Sequence, residues 1–361
     1  MLKSLKIENF RCFPSFEMGQ LGRLNLIVGT NNSGKTSILE AVQLLTSQFN
    51  LELLRDLMIS RGEYILNDER NPEMNVRRSL RELDICHLFY GHTVDVGSKF
   101  FILGDNSDRK ESLFVSIETS EQLDLFEDIR ELFFSIQYSG KENENIRLPL
   151  SPEESLSLDY VRRIRRDNNL GLKTQFVTSA SMKPEELVNL FNRFVLTDEE
   201  DFVIEALQTI EPKIARIAPG EIKLREPNSR FGFRVRLSDS EKPIPIGSMG
   251  DGIWRMLGLA LAIVNAKNGV LLVDEIDTGL HFTVMSDMWK MLWETAKRLN
   301  VQIFATTHSN DCWKSLADIA NAENPSEDGI TIHRIEKGKP QSIVFTEDEI
   351  AIAAEEGIEV R

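Results

Sequence analysis

The chain has 361 residues, 41% of them hydrophobic, with 57 acidic against 42 basic side chains and a formal charge of −15. That is enough for one large domain or two ordinary ones around a substantial core, and the acidic balance argues against a surface that coats nucleic acid, which relies on many Lys and Arg. Cys12, Cys86 and Cys312 form no CxxC pair and suggest neither a zinc site nor a disulfide framework, the first ten residues lack an apolar signal core, and the longest apolar run, 256–264, is too short to span a bilayer, so a cytoplasmic protein with no membrane association is expected.

In chain order, 2–10 alternates apolar and polar residues as a strand does, 23–29 is a second strand ending in Gly29, and 36–45 carries apolar residues at helical spacing. Residues 46–95 read as helical and polar. From 97 to 150 short β-like runs (99–104, 112–118, 132–139) alternate with turn-forming stretches such as GDNSD. The most basic segment is 160–173. A strand over 174–179 precedes a helical block over 184–217, and strands are expected at KLRE, 223–226, and GFRVRLS, 232–238. Then come a helix over 251–266, a strand over 269–275, a helix over 282–299 with Met285, Met288, Trp289 and Leu292 on one face, a strand over 302–308, and a hairpin turning at Lys337–Gly338. Buried strands alternating with helices at both ends indicate an α/β fold with a mainly parallel sheet. The middle reads as an insertion of β and α pieces.

GTNNSGKT, 29–36, matches the phosphate-loop pattern G-x-x-x-x-G-K-[ST] between a strand and a helix. Its glycines let the backbone turn and approach phosphate, and successive N–H groups make an anion nest. Gly29, Thr30, Asn31, Asn32, Ser33, Gly34, Lys35, Thr36 and Ser37 are therefore the expected nucleotide cradle, with Lys35 bridging the β- and γ-phosphates and the Thr36 hydroxyl on Mg²⁺. GVLLVDEID, 269–277, is an apolar strand ending in acids. A carboxylate at the C-terminal end of a buried parallel strand faces the ligand crevice, so Asp274 is expected to hold Mg²⁺ and Glu275 to orient or deprotonate the attacking water. IFATTHS, 303–309, brings His308 to the end of a further strand, where an imidazole could bond the γ-phosphate. GSMGDG, 247–252, opens an apolar helix with glycine and serine, a further anion-binding entry in which Ser248 and the N–H groups near Gly250 are the donors.

Together, NNSGKT, VDEID, the loop TGLH and the THS strand resemble ABC-type ATPase heads, closest to the SMC, RecF and OLD (overcoming lysogenization defect) group. IENFRCF resembles that group's opening strand, which implies that Arg11 lies near bound nucleotide. GSMGDG is similar to the ABC signature but departs from LSGGQ. The resemblance implies that ATP and Mg²⁺ are bound between two copies, each signature capping the γ-phosphate in the other, so that ATP stabilises a homodimer and hydrolysis releases it. It places Asp277 and His281 at the dimer seam. It also implies one head formed by 1–180 and 225–345, with 181–224 as a helical insertion. The glutamine that follows a lobe-linking strand in many ABC ATPases has two weak candidates, Gln137 and Gln175.

No sustained heptad pattern supports a long coiled-coil arm. VRRSLR, 76–81, and RRIRR, 162–166, read as solvated faces of an acidic chain more than as nucleic-acid contacts. Many OLD-type proteins continue into a nuclease domain, but about fifty residues follow the THS strand, too few for one of ordinary size; the resemblance to stand-alone heads implies an effector protein, a nuclease among the candidates, as partner. The reading is an ATP-hydrolysing switch in nucleic-acid processing, repair or antiphage defence. Its rivals are the ATPase subunit of a membrane transporter, a GTP switch, which lacks an NKxD motif, and a nuclease using DEID as a metal cluster.

Overall fold

The computed structural model describes residues 1–70, 77–106, 109–119, 131–140, 143–163, 171–179, 182–220, 232–320 and 328–361. In chain order the first elements are β1 (Leu2–Phe10), β2 (Phe13–Met18), β3 (Leu24–Val28), α1 (Lys35–Thr46), α2 (Leu51–Ser60), β4 (Tyr64–Arg70), β5 (Arg77–Leu83), β6 (Lys99–Asn106), β7 (Lys110–Thr119), β8 (Leu132–Ser139) and β9 (Glu144–Pro149). They are followed by β10 (Leu156–Ser157), α3 (Leu158–Arg163), β11 (Thr174–Val177), α4 (Pro184–Phe191), α5 (Glu199–Gln208), β12 (Ile214–Gly220), β13 (Gly232–Leu237) and β14 (Ile244–Pro245). The last are α6 (Asp251–Asn265), β15 (Val270–Val273), α7 (Met285–Leu299), β16 (Gln302–Thr307), α8 (Asn310–Ala320), β17 (Ile330–Arg334), β18 (Ile343–Phe345) and α9 (Glu347–Glu356).

The chain divides into two units. The first takes residues 1–20, 36–171 and 337–342. Its main sheet is antiparallel, in the order β2-β1-β6-β7-β8-β9, and a smaller sheet runs β10-β5-β4. β1 alternates as expected, burying Leu5, Ile7 and Phe10, and Phe10 and Phe89 each set a ring against Phe100 at 5.2 and 5.3 Å between centroids. α1 lies so close to this sheet that a Cβ at Gly104 would run into Leu45 of the helix and Leu2 of β1.

The second unit takes 21–35, 172–336 and 343–361. Its sheet has the order β11-β15-β16-β3-β17-β18, parallel throughout except for β18. β3, β15 and β16 are buried at every position, as strands covered on both faces must be. Helices α6 and α7 supply much of that cover: Met285, Met288, Trp289 and Leu292 form the buried face of α7, and Lys297 and Arg298 in its last turn complement the helix dipole. Among the described residues no helix is long and apolar enough to cross a membrane.

Two expectations need correction. Residues 64–70 and 77–83 are not helical: β4 and β5 pair antiparallel, Tyr64 opposite Leu83. A polar run with scattered apolar residues suits a solvated strand pair as well as a solvated helix, and the pairing partner is not local. The helical block ends before residue 214, where Pro212 and the β-branched Ile214 and Ile217 turn the chain into β12. β2 and β9 were not anticipated. Of the other segments singled out, 223–226, Val76 and 164–166 lie outside the described residues, as do the side chains of 77–81.

β3 holds its place through one buried amide. Asn25 Nδ2 donates to the carbonyls of Gly22 (2.9 Å) and Ile303 (3.0 Å), and its Oδ1 accepts from the Gly22 N–H (2.8 Å) and the Thr331 hydroxyl (3.0 Å). Every hydrogen-bonding capacity of this fully buried side chain is matched. Asn25→Leu strands several buried partners at once, so thermal or urea unfolding should show a loss of about 3 kcal/mol.

Candidate functional site

Parallel pairing puts the C-terminal ends of β3, β15 and β16 on one edge of the sheet. Gly29 follows β3, Asp274 and Glu275 follow β15, and His308 follows β16. The loop after β3 needs left-handed backbone at Gly29 (φ 147°), Asn32 (φ 60°) and Gly34 (φ 100°). At Gly29 a side chain would also meet the Ile335 carbonyl, so only glycine fits. Thr30, Asn31 and Asn32 are exposed at the loop's crest, while Ser33 and Lys35 are buried. The Lys35 ammonium donates to the carbonyls of Gly29 (2.8 Å) and Thr30 (2.9 Å). Burial lowers its pKa, and the carboxylates of Asp274 and Glu275 oppose that shift. Ser33 Oγ is buried without a hydrogen-bond partner in the structure, as a group awaiting an anionic acceptor or a solvent molecule would be. This donor set fits a phosphate chain. Thr36 and Ser37, the next residues, open α1, and Ser37 Oγ lies 3.9 Å from Cys12 Sγ.

The two acids are gripped from both sides. Thr306, fully buried in β16, donates its hydroxyl to Asp274 Oδ1 (2.6 Å) and accepts the Glu275 N–H (2.8 Å). Arg255 of α6 donates to the carbonyls of Asp274 (3.2 Å), Glu275 (2.9 Å) and Thr178 (3.1 Å). Glu275 itself sits at φ 47°, a left-handed conformation that costs a non-glycine residue about 1–3 kcal/mol and persists only where the surroundings enforce it. The four hydrogen bonds linking Thr306 and Arg255 to Asp274 and Glu275 are the enforcement. Burial lowers the Arg255 pKa, opposed by Asp277, Asp274 and Glu275. One residue beyond Thr306, the Thr307 hydroxyl donates to Asp277 (2.6 Å).

The other expected residues fall in different places. Ser248 is exposed in a 3-10 turn, its hydroxyl donating to the Pro245 carbonyl (2.7 Å), and Gly250 (φ 99°) caps α6 with no side-chain hydrogen bond. His308 is exposed, and its carbonyl accepts from Arg361 (2.6 Å). His281 bonds the Thr283 hydroxyl (3.0 Å) beside the exposed Phe282. Gln137 is an exposed residue of β8 and Gln175 is within β11; the residues that follow β11 are Thr178 and Ser179. Arg11 lies in the first unit, 4% exposed, donating to Glu40 (3.0 Å), Glu63 (2.6 Å) and the His87 carbonyl (3.0 Å). Glu40, on α1, also pairs with Arg61.

Sequence reasoning missed Arg255 and Thr306. Both carried a signal. Arg255 is the one charge in the apolar run WRMLGLALAIV, and a cation at a core position needs a dedicated partner. Thr306 and Thr307 are polar residues ending an otherwise apolar strand.

A family model described as "AAA domain, putative AbiEii toxin, Type IV TA system" matches residues 24–311. An ATP/GTP phosphatase of Helicobacter pylori is 24% identical over 324 residues, covering 86% of each chain. An OLD nuclease of Thermus scotoductus is 49% identical over 45 residues, 12% of this chain and 8% of its own. Among solved structures, the Smc head bound to the C-winged helix domain of ScpA aligns over 96% of this chain and 98% of its own, with 13% identity and a TM-score of 0.49.

The Arg11 cluster generates a pH-dependent prediction. Burial raises the Glu40 pKa, and Arg11 and Arg61 pull it back. Arg11→Met removes the first of those offsets, leaving a buried carboxylate short of counter-charge, at a cost of about 3–5 kcal/mol. A carboxyl whose folded pKa lies above its unfolded one opposes folding once the pH exceeds the unfolded value. The stability difference between variant and parent should therefore be largest near neutral pH and shrink as acid protonates Glu40. Denaturation midpoints measured across pH 4–8 check the sign.

Proposed function

The chain belongs to the AAA-domain family described as putative AbiEii toxin, Type IV TA system; from that premise we propose that it is a P-loop ATPase of the SMC and OLD group that closes around ATP and Mg²⁺ into a homodimer and opens on hydrolysis. One observation carries the reading. A phosphate loop with a buried lysine and an acid pair locked by Thr306 and Arg255 share one sheet edge, while the start of α6 meets solvent at Ser248 and Gly250. A strained, over-determined glutamate is what an enzyme needs to hold a base or water-orienting group in a single geometry.

In this mechanism the loop 29–35 cradles the phosphates and Lys35 offsets charge as the terminal phosphoryl leaves. The motif's hydroxyl, Thr36, and the Asp274 carboxylate would hold Mg²⁺, which would supply charge neutralisation at the phosphates. Thr306 aims the Asp274 carboxylate by donating to it. Glu275 orients and deprotonates water, and His308 contacts the γ-phosphate. Ser248 and the N–H groups of α6 serve the partner's nucleotide, because an uncapped helix start presents donors and a positive dipole end. Asp277 and His281 lie at the seam. Arg11, which the resemblance places near nucleotide, also donates to Glu40 of α1. We assign the dimer to control of nucleic-acid processing, repair or antiphage defence through an effector protein. The short stretch similar to an OLD nuclease supports that assignment.

Glu275→Gln removes the base and keeps the hydrogen-bonding shape, so its mass in solution should double with Mg-ATP while turnover falls by roughly 10²–10⁴-fold. Ser248→Arg in the same background should abolish the doubling and leave nucleotide binding intact. A mass that ignores ATP, or a doubling that survives Ser248→Arg, overturns the shared site.

A further inference from the structure

We propose that Asp84, Cys86 and His87 form a binding site for one divalent transition-metal ion of the zinc class, with His92 orienting His87. The three residues follow β5 at the start of a short 3-10 turn, Ile85–Leu88. One ligand atom from each lies within 4.8 Å of the other two, and Asp84 Oδ2 is 3.4 Å from His87 Nε2. Around a tetrahedral zinc ion, ligand atoms about 2.0–2.3 Å from the metal stand about 3.5 Å apart. Small side-chain rotations therefore close the site, and the backbone need not move.

Three observations separate this cluster from an ordinary polar turn. Asp84 occupies the cap position of the turn, where an aspartate normally accepts a backbone N–H, yet its side chain makes no capping bond and faces His87 instead. His87 offers its two nitrogens to different neighbours. Nε2 faces Asp84, while Nδ1 is 3.3 Å from His92 Nδ1, with the rings edge to face at 5.3 Å. With Nε2 on the metal, the Nδ1 proton is donated to His92, the arrangement that fixes tautomer and ring angle in metal sites. The ligand set is also chemically selective. A thiolate, an imidazole and a carboxylate suit zinc and its neighbours and are wrong for Mg²⁺ or Ca²⁺, which prefer oxygen throughout. All three side chains are half-buried, so solvent supplies the fourth ligand and an entry path.

The site bears on the rest of the unit through its backbone. The His87 carbonyl accepts from the Arg11 guanidinium, the Leu88 carbonyl accepts the Arg11 N–H (2.9 Å), and the Asp84 N–H donates to the Glu63 carbonyl (3.2 Å). A metal that pins 84–87 fixes the cradle in which Arg11 and Glu63 meet Glu40.

The test uses the full chain, free of nucleotide, with Cys12→Ser to remove the exposed thiol. After dialysis against Zn²⁺ and passage over a chelating resin, one zinc should remain per chain. Co²⁺ in its place should give a near-ultraviolet thiolate-to-metal charge-transfer band and the visible bands of a tetrahedral ion. Cys86→Ser and His87→Ala should each abolish retention, and His92→Ala should weaken it by about 10–100-fold. The proposal is overturned if the parent retains no zinc, if the Co²⁺ spectrum lacks the thiolate band, or if folded Cys86→Ser and His87→Ala bind as the parent does. The Co²⁺ spectrum of the parent decides the matter even if a variant fails to fold.

Discussion

The Thr306 hydroxyl is the point on which the site turns. It has one proton and two lone pairs; the proton goes to Asp274 and a lone pair takes the Glu275 N–H. Both bonds come from an atom with no solvent access, so neither has water as a substitute. A valine there would fill the same volume and leave a buried amide unpaired. The parallel register makes the arrangement available: Thr306 is paired with Ile27 of β3, and Val273 with Ala305. The residue just past β15 therefore falls beside the one just past Ala305. A one-residue slip would turn Thr306 to the other face of the sheet. The buried amide of Asn25, tying β3 to Ile303 of β16 and to Thr331 of β17, guards that register at the opposite ends of the strands.

Legibility in the sequence followed the range of the interactions. The strand before Gly29, the acids after residue 273 and the histidine at 308 could be read because periodicity and motif spacing are local properties. So could the buried face of α7. Thr306 and Arg255 could not be assigned partners, because each bonds a segment 19 or more residues away and only the folded register brings those segments together. The same limit explains β4 and β5, whose residues are compatible with a helix in isolation until pairing decides otherwise; β12 did carry local signals in Pro212 and the β-branched Ile214 and Ile217. The cluster after β5 escaped for a different reason: its ligand types are mixed and packed into four residues, a pattern that cysteine spacing does not reveal.

Arg255 gives the proposed dimer a route for information. It lies five residues into the helix that Gly250 caps, and its guanidinium holds the carbonyls of both acids. Its terminal nitrogens are committed to three backbone carbonyls, so a shift of α6 would lengthen the bonds to Asp274 and Glu275. A phosphate drawn to the start of α6 pulls on the whole helix, since a helix moves as a rigid element. Each chain's helix start would serve the partner's nucleotide while its Arg255 serves its own acids. In the proposed dimer, capture of one ATP would thereby be coupled to the geometry of the acid pair at the other. Glu275, held at φ 47° by Thr306 and Arg255, is where a displacement of α6 would be felt, because Arg255 of that helix donates to its carbonyl and the strained backbone persists only under that hold.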